Sequence, residues 1–302
     1  MKKVYLALLL VVCIIGGNLL FSRTSTSDSS VISVDEMTPL SLELVYEGMK
    51  PDGIGSVQSF AITPDYFVVA SRPPGSEEEG GETNNRLSII DRQSLADVTN
   101  DFVAARKSYE LGHANGMTYN PETNELLIVG INDKNDECTI VARVDAANFR
   151  QKTDEQLTGS TASGIAYAGN GEYFARSGGW IHLIDNDLME RDKEFYFASG
   201  LAVQDIGYYA DGVYLADWAK STDVGILWKL GLKANENVIY RYDVVHESIR
   251  AFLISAPRLE LESVDFADGE AYVLMNGIGD RRDSFYIYRV LDDEAGKAFL
   301  AM

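Results

Sequence analysis

From residue 41 to the end, the chain alternates between short apolar runs and clusters of Gly, Asn, Asp and Pro. The runs are rich in β-branched and aromatic residues, and none continues with the 3.6-residue period of a long helix. Short runs of this composition, bounded by turn residues, are typical of β-strands. The pattern therefore predicts an all-β structure for residues 41–302.

One apolar pattern occurs five times in this region, with a small residue between two larger apolar ones in four copies and Asp265 at that place in the fifth. The copies are SVQSFAI (56–62), HANGMTY (113–119), TASGIAY (161–167), AVQDIGY (202–208) and ELESVDF (260–266). Their last residues lie about 40 to 60 positions apart, a spacing that suits β-propeller blades with loop insertions. A short turn and further strand-like runs follow each copy, so each repeat predicts a small sheet.

The ends of this region differ from the middle in a way that predicts ring closure. Four repeats contain a fourth strand-like run, namely 105–111, 155–160, 194–199 and 251–256, but the fifth repeat has none before the chain ends. A strand-like segment at 41–49 precedes the first repeat and has no partner within it. We expect this segment to complete the last sheet, because closing the ring removes exposed sheet edges.

The repeats resemble those of the β-propeller superfamily, most nearly extracytoplasmic proteins with NHL-like and gluconolactonase-like repeats. The resemblance covers residues 41–302 and implies five four-stranded blades. Six blades remain an alternative if the long stretch 219–259 contains a degenerate blade.

The Asn-Gly pair at 115–116 opens a strand that is otherwise apolar. Met117 and Tyr119 share one face of that strand, whereas Gly116 and Thr118 share the other. A bulky face against a small face lets neighbouring blades approach closely near the axis. The glycine is therefore at least as well explained by packing as by function.

A polar residue stands two positions before the first bulky residue of the pattern in all five copies. These residues are Gln58, Asn115, Ser163, Gln204 and Glu262, and in a ring they converge near one mouth of the channel. They either satisfy backbone groups and ordered water or contact a ligand. Long loops after the second strands emerge on the same face, where binding sites usually develop. We add His113 and Trp218 to the predicted ligand-binding residues because both are expected on this face.

The first residues resemble a targeting segment. Lys2 and Lys3 precede an apolar run at 4–21, which predicts a signal peptide or an uncleaved N-terminal membrane anchor. Residues 22–40 are rich in Ser and Thr and predict a linker. Either outcome places residues 41–302 outside the cytoplasm, secreted or anchored to the membrane. The net charge of −20 argues against nucleic acid as a partner.

A metal site is one chemical hypothesis. The match to gluconolactonase-like propellers is limited to Asn115-Gly116-Met117, where that family uses an asparagine as a cation ligand. The resemblance implies a calcium site formed by Asn115, Asp205 and Glu262, although Asp205 stands one position later than the family pattern. No other cofactor is predicted.

Acid–base chemistry is a second hypothesis, with Glu262, Asp265 and Asp205 as candidate catalytic carboxylates. Asp265 is the most unusual of them, because the corresponding residues elsewhere are Ala61, Thr118, Ala166 and Gly207. A buried carboxylate there needs a partner, for which an arginine or backbone amides are the structural explanation.

These patterns favour a propeller ectodomain that binds a glycan or peptide or acts as a scaffold at the cell envelope. The alternative is a propeller hydrolase, a metal-dependent lactonase or a glycosidase, with its site at the channel mouth. Fold alone does not decide between them, because propellers support both.

Overall fold

Five small β-sheets stand in a ring, which is the arrangement of a five-bladed β-propeller. This computed structural model describes residues 37–73, 84–111, 113–131, 139–157, 162–196, 203–218 and 236–301. The first strand of each sheet packs against the first strands of both neighbouring sheets, and this contact continues from the fifth sheet back to the first. The predicted all-β propeller with five blades is confirmed.

Each blade is built from its innermost strand, next to the channel, outward. Blade 1 contains β3 (Ser56–Ile62), β4 (Tyr66–Arg72), β5 (Asn84–Asp91) and β6 (Tyr109–Glu110). Blade 2 contains β7 (Gly116–Asn120), β8 (Glu125–Ile131), β9 (Thr139–Asp145) and β10 (Gln151–Gln156). Blade 3 contains β11 (Gly164–Gly169), β12 (Glu172–Ser177), β13 (Trp180–Asp185) and β14 (Glu190–Tyr196).

The last two blades also receive strands from the beginning of the described chain. Blade 4 contains β15 (Val203–Tyr209), β16 (Gly212–Trp218), β17 (Asn237–Asp243), β18 (Ser248–Ile254) and, outermost, β1 (Thr38–Pro39). Blade 5 contains β19 (Leu259–Ala267), β20 (Glu270–Gly277), β21 (Ser284–Val290) and β2 (Leu42–Met49). Because β17 and β18 belong to blade 4, the described part of 219–259 contributes no sixth blade.

The hydrophobic core is divided into five clusters, one at each junction between neighbouring blades. Strand β8 illustrates why the core is divided in this way. Its alternate residues Leu126 and Ile128 pack towards blade 1, whereas Leu127 and Val129 pack towards blade 3. Successive side chains of a strand point to opposite faces of the sheet. A strand that is apolar at every position therefore fits a sheet covered on both faces.

The predicted ring closure is confirmed, since β2 pairs antiparallel with β21 and completes blade 5. Met37 and Leu40, in the stretch predicted as linker, are buried at the two junctions of blade 4 with its neighbours, and β1 pairs parallel with β18. A C-terminal helix that the sequence did not indicate, α1 (Glu294–Leu300), buries Phe299 at the junction of blades 4 and 5. Both ends of the described chain thus help to hold blade 5 in place.

An aspartate ends the third strand of four blades, a repeat that the sequence pattern did not reveal. Its carboxylate accepts hydrogen bonds from backbone N–H groups of the following turn, in each case within four residues. The four residues are Asp91, Asp145, Asp185 and Asp243. These turns direct the chain from the third strand towards the fourth.

The outer strands lie several residues away from their predicted positions. The fourth strands of blades 2, 3 and 4 begin three or four residues earlier than predicted, and β6 of blade 1 has only two residues. Outer strands carry many polar residues, as in QKTDEQ of β10, so they lack a clear alternation of apolar and polar positions.

The predicted leader at 1–21 and residues 22–36 of the predicted linker lie outside the described residues. Among the residues that are described, no helix is long and apolar enough to cross a membrane. The leader and the extracytoplasmic location therefore stay predictions.

Candidate ligand-binding site at the channel mouth

The central channel is narrow because first strands meet across it. Strand β15 of blade 4 contacts β7 of blade 2 and β3 of blade 1 in addition to its direct neighbours. Corresponding positions on the five first strands carry small residues, except in blade 4, which carries Asp205. A Cβ atom on Gly116 or Gly164 would lie 3.0 or 3.2 Å from the Asp205 Oδ1. The carboxyl group of Asp205 thus occupies the space that the two glycines leave open.

Asp205 is completely buried and well supplied with hydrogen-bond donors. Its Oδ1 accepts the backbone N–H of Ile206 at 2.8 Å, and its Oδ2 accepts the Ser263 hydroxyl at 2.8 Å. The backbone N–H of Met117 in blade 2 adds a further donor. Burial raises the pKa of Asp205 well above its ordinary value, and these donors only partly offset the effect. Asp205 therefore links blades 2, 4 and 5 at the axis.

The five polar residues predicted for the mouth occupy equivalent places in the structure. In blades 1, 4 and 5 the pairing register of the first two strands shifts at Gln58, Gln204 and Glu262, each of which forms a β-bulge. In blades 2 and 3, Asn115 and Ser163 stand just before the first strand.

Side chains at the mouth form hydrogen bonds across blade junctions. Gln204 of blade 4 donates from Nε2 to Glu260 of blade 5 at 3.1 Å, and Asn276 donates to the same carboxylate at 3.4 Å. Arg176 of blade 3 donates to the Ser163 hydroxyl at 2.7 Å and to the Val203 carbonyl of blade 4 at 3.0 Å. The mouth therefore combines an acid, a cation and amides in fixed positions.

Blade 1 contributes a third group of contacts. Gln58 donates from Nε2 to the Ser56 hydroxyl at 2.7 Å, and Arg72 donates from Nε to the same hydroxyl at 3.3 Å. Gln58 is buried, whereas Arg72 is half-buried at the end of β4. A second hydrogen bond, to the Val57 carbonyl at 2.7 Å, holds the Gln58 amide at the edge of the channel.

A buried lysine that the sequence pattern did not single out lies near the mouth. Lys50 donates from Nζ to the carbonyl oxygens of Gly55 at 3.2 Å and Arg282 at 2.5 Å. Burial lowers the pKa of Lys50, and the nearby carboxylates of Glu262, Asp283 and Glu260 act in the opposite direction. Glu262 is itself only 2% exposed. The lysine follows the closing strand β2, so only the closed ring brings it to this place.

The remaining predicted binding residues lie at the same end of their blades as Gln58, Gln204 and Glu262. Asn115 and His113 are half-buried ahead of β7, and Trp218 is half-buried at the end of β16, where it pairs with Asn237. Trp180, 40% exposed, and Tyr196 were not predicted, yet they form an exposed aromatic pair with ring centroids 5.0 Å apart. Since Ser177 pairs with Trp180 and Gly164 with Arg176, this pair lies at the same end of blade 3 as Ser163.

Asp265 accepts hydrogen bonds from backbone amides, which is the structural explanation offered above for a carboxylate at this position. Its Oδ2 accepts the backbone N–H of Ile62 in blade 1 at 2.7 Å, and its Oδ1 accepts that of Phe266 at 2.9 Å. Thr118 does the same in blade 2, where its hydroxyl accepts the N–H of Tyr167 in blade 3 at 2.9 Å. Burial raises the pKa of Asp265 to about 7, despite these donors and the nearby Arg92. The carboxylate joins the last blade to the first.

The calcium hypothesis receives no support from a cluster of metal-binding side chains among the described residues. Across those seven ranges, no three side chains of His, Cys, Asp or Glu are grouped so that they can hold a metal ion. Both carboxylate oxygens of Asp205 already accept hydrogen bonds. The acidic segment 132–137 lies outside the described residues.

Comparisons with known proteins support the fold and leave the activity open. No protein-family model and no curated protein sequence matches the chain. Among solved structures, the tail fiber of Staphylococcus aureus phage P68 is similar, with a TM-score of 0.53 and 11% sequence identity. The match covers 86% of this chain and 54% of the phage chain, so this chain spans about half the length of that protein. The likeness concerns the propeller fold alone, and no family match supports the finer resemblance to NHL-like or gluconolactonase-like repeats.

Proposed function

We propose that this propeller is a ligand-binding module of the cell envelope and that its ligand, a glycan or a peptide, binds at the channel mouth. The observation that carries this proposal is the set of polar side chains at the mouth, held in place across blade junctions. Glu260 and Arg176 supply both charges, and Gln204 and Ser163 supply neutral hydrogen-bonding groups. Preorganised groups of this kind bind ligands without a large loss of side-chain entropy.

A glycan is favoured over a peptide by the exposed aromatic pair on the same face. Trp180 and Tyr196 stand at 64° to each other and leave large ring surfaces accessible to solvent. Aromatic faces pack against the apolar faces of sugar rings, while amides and carboxylates bind the hydroxyl groups. The likeness to a phage tail fiber fits a binding or scaffolding module, although it rests on the fold.

The hydrolase alternative is less favoured because two of its three candidate carboxylates have other partners. Asp205 binds Ser263 and backbone amides, and Asp265 binds the backbone of Ile62 and Phe266. Neither presents an oxygen to a substrate at the mouth. Glu262, which is nearly buried beside Lys50, is the remaining candidate for acid–base chemistry.

The test is a glycan and peptide array probed with the full-length protein, followed by calorimetric titration of each ligand found. We expect Arg176→Gln and Trp180→Ala each to weaken binding about ten-fold, as for loss of a charged hydrogen bond or a stacking contact. Arg250→Gln, on the outer strand of blade 4, is the matched control and should leave affinity unchanged. Equal affinity in all three variants would exclude the mouth as the site.

The same titrations separate binding from catalysis. Ligand incubated with the protein is analysed by mass spectrometry, with and without calcium. Recovery of intact ligand supports a binding module. Release of a cleaved glycan or an opened lactone, abolished by Glu262→Gln, would instead support the hydrolase.

We also propose that the propeller lies outside the cytoplasm, on the basis of Lys2, Lys3 and the apolar run that follows them. Protease added to intact cells should degrade the propeller if it is anchored, or the protein should appear in the medium if it is secreted. Protection from protease in intact cells, with none of the protein in the medium, would contradict this location.

A further inference from the structure

Blade 1 lacks a regular outer strand, and a groove takes its place. Its fourth strand β6 pairs with β5 over two residues only, Asn84 with Glu110 and Asn85 with Tyr109. The preceding residues, 98–108, are irregular apart from a single 3-10 turn at Thr99–Asp101. Between this segment and the turn of blade 2 at 148–151 lies an open groove of about 710 Å³. The blade 2 turn joins a third strand to a fourth strand, so the groove lies away from the channel mouth.

Cations are concentrated around this groove, although the whole chain carries a net charge of −20. Lys107 and Arg150 line it, and their exposed side chains form no ion pair or hydrogen bond with the described residues. Arg106 is held nearby by the Asn100 carbonyl, and Arg86 donates to the Arg106 carbonyl at 2.9 Å. Most other described cations have carboxylate partners, such as Arg92 with Asp268, Arg143 with Glu155, Arg241 with Asp243 and Arg289 with Glu43.

Two carboxylates beside the blade 2 turn already have partners among the described residues. Asp145 accepts from Asn148 at 3.3 Å and lies 3.8 Å from Lys152. Asp154 accepts a hydrogen bond from Gln151. Asp101 lines the groove directly. Lys107 and Arg150 therefore remain available to an anion from outside.

The floor of the groove is apolar and is packed against buried aromatic residues. Phe102 packs edge-on against Phe149 at 4.7 Å and against Tyr66 at 5.5 Å. The Tyr109 hydroxyl is bound to the Phe149 carbonyl, which fixes the inner wall. Val103, 69% exposed, forms part of the rim. An apolar floor with cations and polar groups at the rim suits a ligand that has both a flat apolar face and negative charge.

We propose that this groove binds a short acidic saccharide, with Lys107 and Arg150 contacting its carboxylate or phosphate group and Phe102 supporting its sugar ring. A long polyanion such as a nucleic acid, or a second copy of this acidic chain, would meet the repulsion of the whole molecule. A short ligand responds mainly to the nearest charges, because exposed charges beyond about 8–10 Å are screened at physiological salt. The site is separate from the proposed binding site at the mouth.

The probe is tri-galacturonate, titrated into the full-length protein by calorimetry, with its methyl ester as a neutral isostere. A second arm uses glucose 1-phosphate, so that carboxylate and phosphate recognition are distinguished. We expect the acid or the phosphate to bind in the millimolar range or tighter and the methyl ester about ten-fold more weakly or not at all. Lys107→Gln and Arg150→Gln should each weaken binding of the acid by a similar factor.

The controls are Arg250→Gln and Lys297→Gln, which remove exposed positive charges far from the groove. Unchanged melting temperatures in all four variants will show that the fold is intact. Equal binding of acid and ester, equal binding by all variants, or binding of neither anionic probe would overturn the proposal. Binding of a pentaglutamate peptide in place of both saccharides would replace the proposed ligand with an acidic peptide.

Discussion

The hydroxyl of Ser263 donates a hydrogen bond of 2.8 Å to the carboxyl group of Asp205, and the two residues stand on the first strands of adjacent blades. The same carboxyl group accepts the backbone N–H of Met117 from blade 2. Three blades are therefore joined at one buried side chain in the centre of the ring. The stability of the ring should accordingly depend on this centre, on the blade junctions and on the closure.

Asp205→Ala should lower the free energy of unfolding by about 3 kcal/mol, because it leaves several buried donors without an acceptor. Asp205→Asn should cost less, since a neutral amide resembles the protonated acid that burial favours. Urea unfolding followed by tryptophan fluorescence measures both variants. An alanine variant as stable as the wild type would show that the hydrogen bonds at the axis contribute little.

Gly207→Ala should destabilise the fold more than Gly164→Ala. A Cβ atom at residue 207 would lie 2.4 Å from the backbone oxygen of Val264, whereas one at residue 164 would lie 3.1 Å from the backbone nitrogen of Ile206. We expect a loss of about 2 kcal/mol or more for Gly207→Ala, because overpacking against backbone cannot be relieved by a rotamer change. Thermal unfolding of the two variants gives the comparison. The reverse order would mean that the junction of blades 4 and 5 can separate.

Asp265 should make stability depend on pH between about 4 and 7. Its pKa is raised from 3.8 to about 7 in the folded protein, so folding favours the protonated acid. The corresponding stability is fully present below pH 4 and is lost as pH rises towards 7, where the unfolded chain has already ionised. Asp265→Asn should remove this part of the pH dependence of stability, because an amide does not ionise. Urea unfolding at several pH values gives the free energy of unfolding of the wild type and of the variant, and the difference between the two should change between pH 4 and 7. A difference that stays constant with pH would contradict the raised pKa of Asp265.

Phe299→Ala should lower the free energy of unfolding by about 3 kcal/mol or more, as for truncation of a buried aromatic residue. The Phe299 ring is fully buried against Tyr214 and Phe252, and its carbonyl oxygen accepts the Tyr214 hydroxyl at 2.8 Å. Leu300→Ala, on the same helix but half-buried, is the matched control and should cost less. Equal losses in chemical denaturation would show that α1 is not specifically docked.

The repeat of first strands was predictable because it depends on local spacing. A strand covered on both faces needs a large residue on one side and a small one on the other, as in Met117 and Gly116, and this requirement is visible in sequence. The outer strands were placed less well, since solvated edges such as β10 impose no such pattern. The C-terminal helix was missed for a related reason, because α1 has only seven residues and buries one large side chain, Phe299.

The candidate site was predictable in part. The equivalence of Gln58, Asn115, Ser163, Gln204 and Glu262 follows from alignment of the repeats, and the β-bulges agree with it. The partners did not follow from sequence. Glu260, Arg176 and Lys50 meet the polar residues of the mouth from other strands or other blades, and the equivalence of the repeats does not single them out. A search for polar residues near the ends of the second strands would have found Arg176 and Asn276.

By itself, the sequence determined that this chain forms a ring of five like sheets closed by its N-terminal strand, because periodic burial and the need to cover sheet edges are expressed along the chain. The tertiary structure alone decided what each carboxylate does. Asp205 and Ser263, like Asp265 and Ile62, are far apart in the chain and meet only when the blades pack. Their pKa values and hydrogen bonds depend on the burial that this packing creates, and burial is a property of the assembled ring.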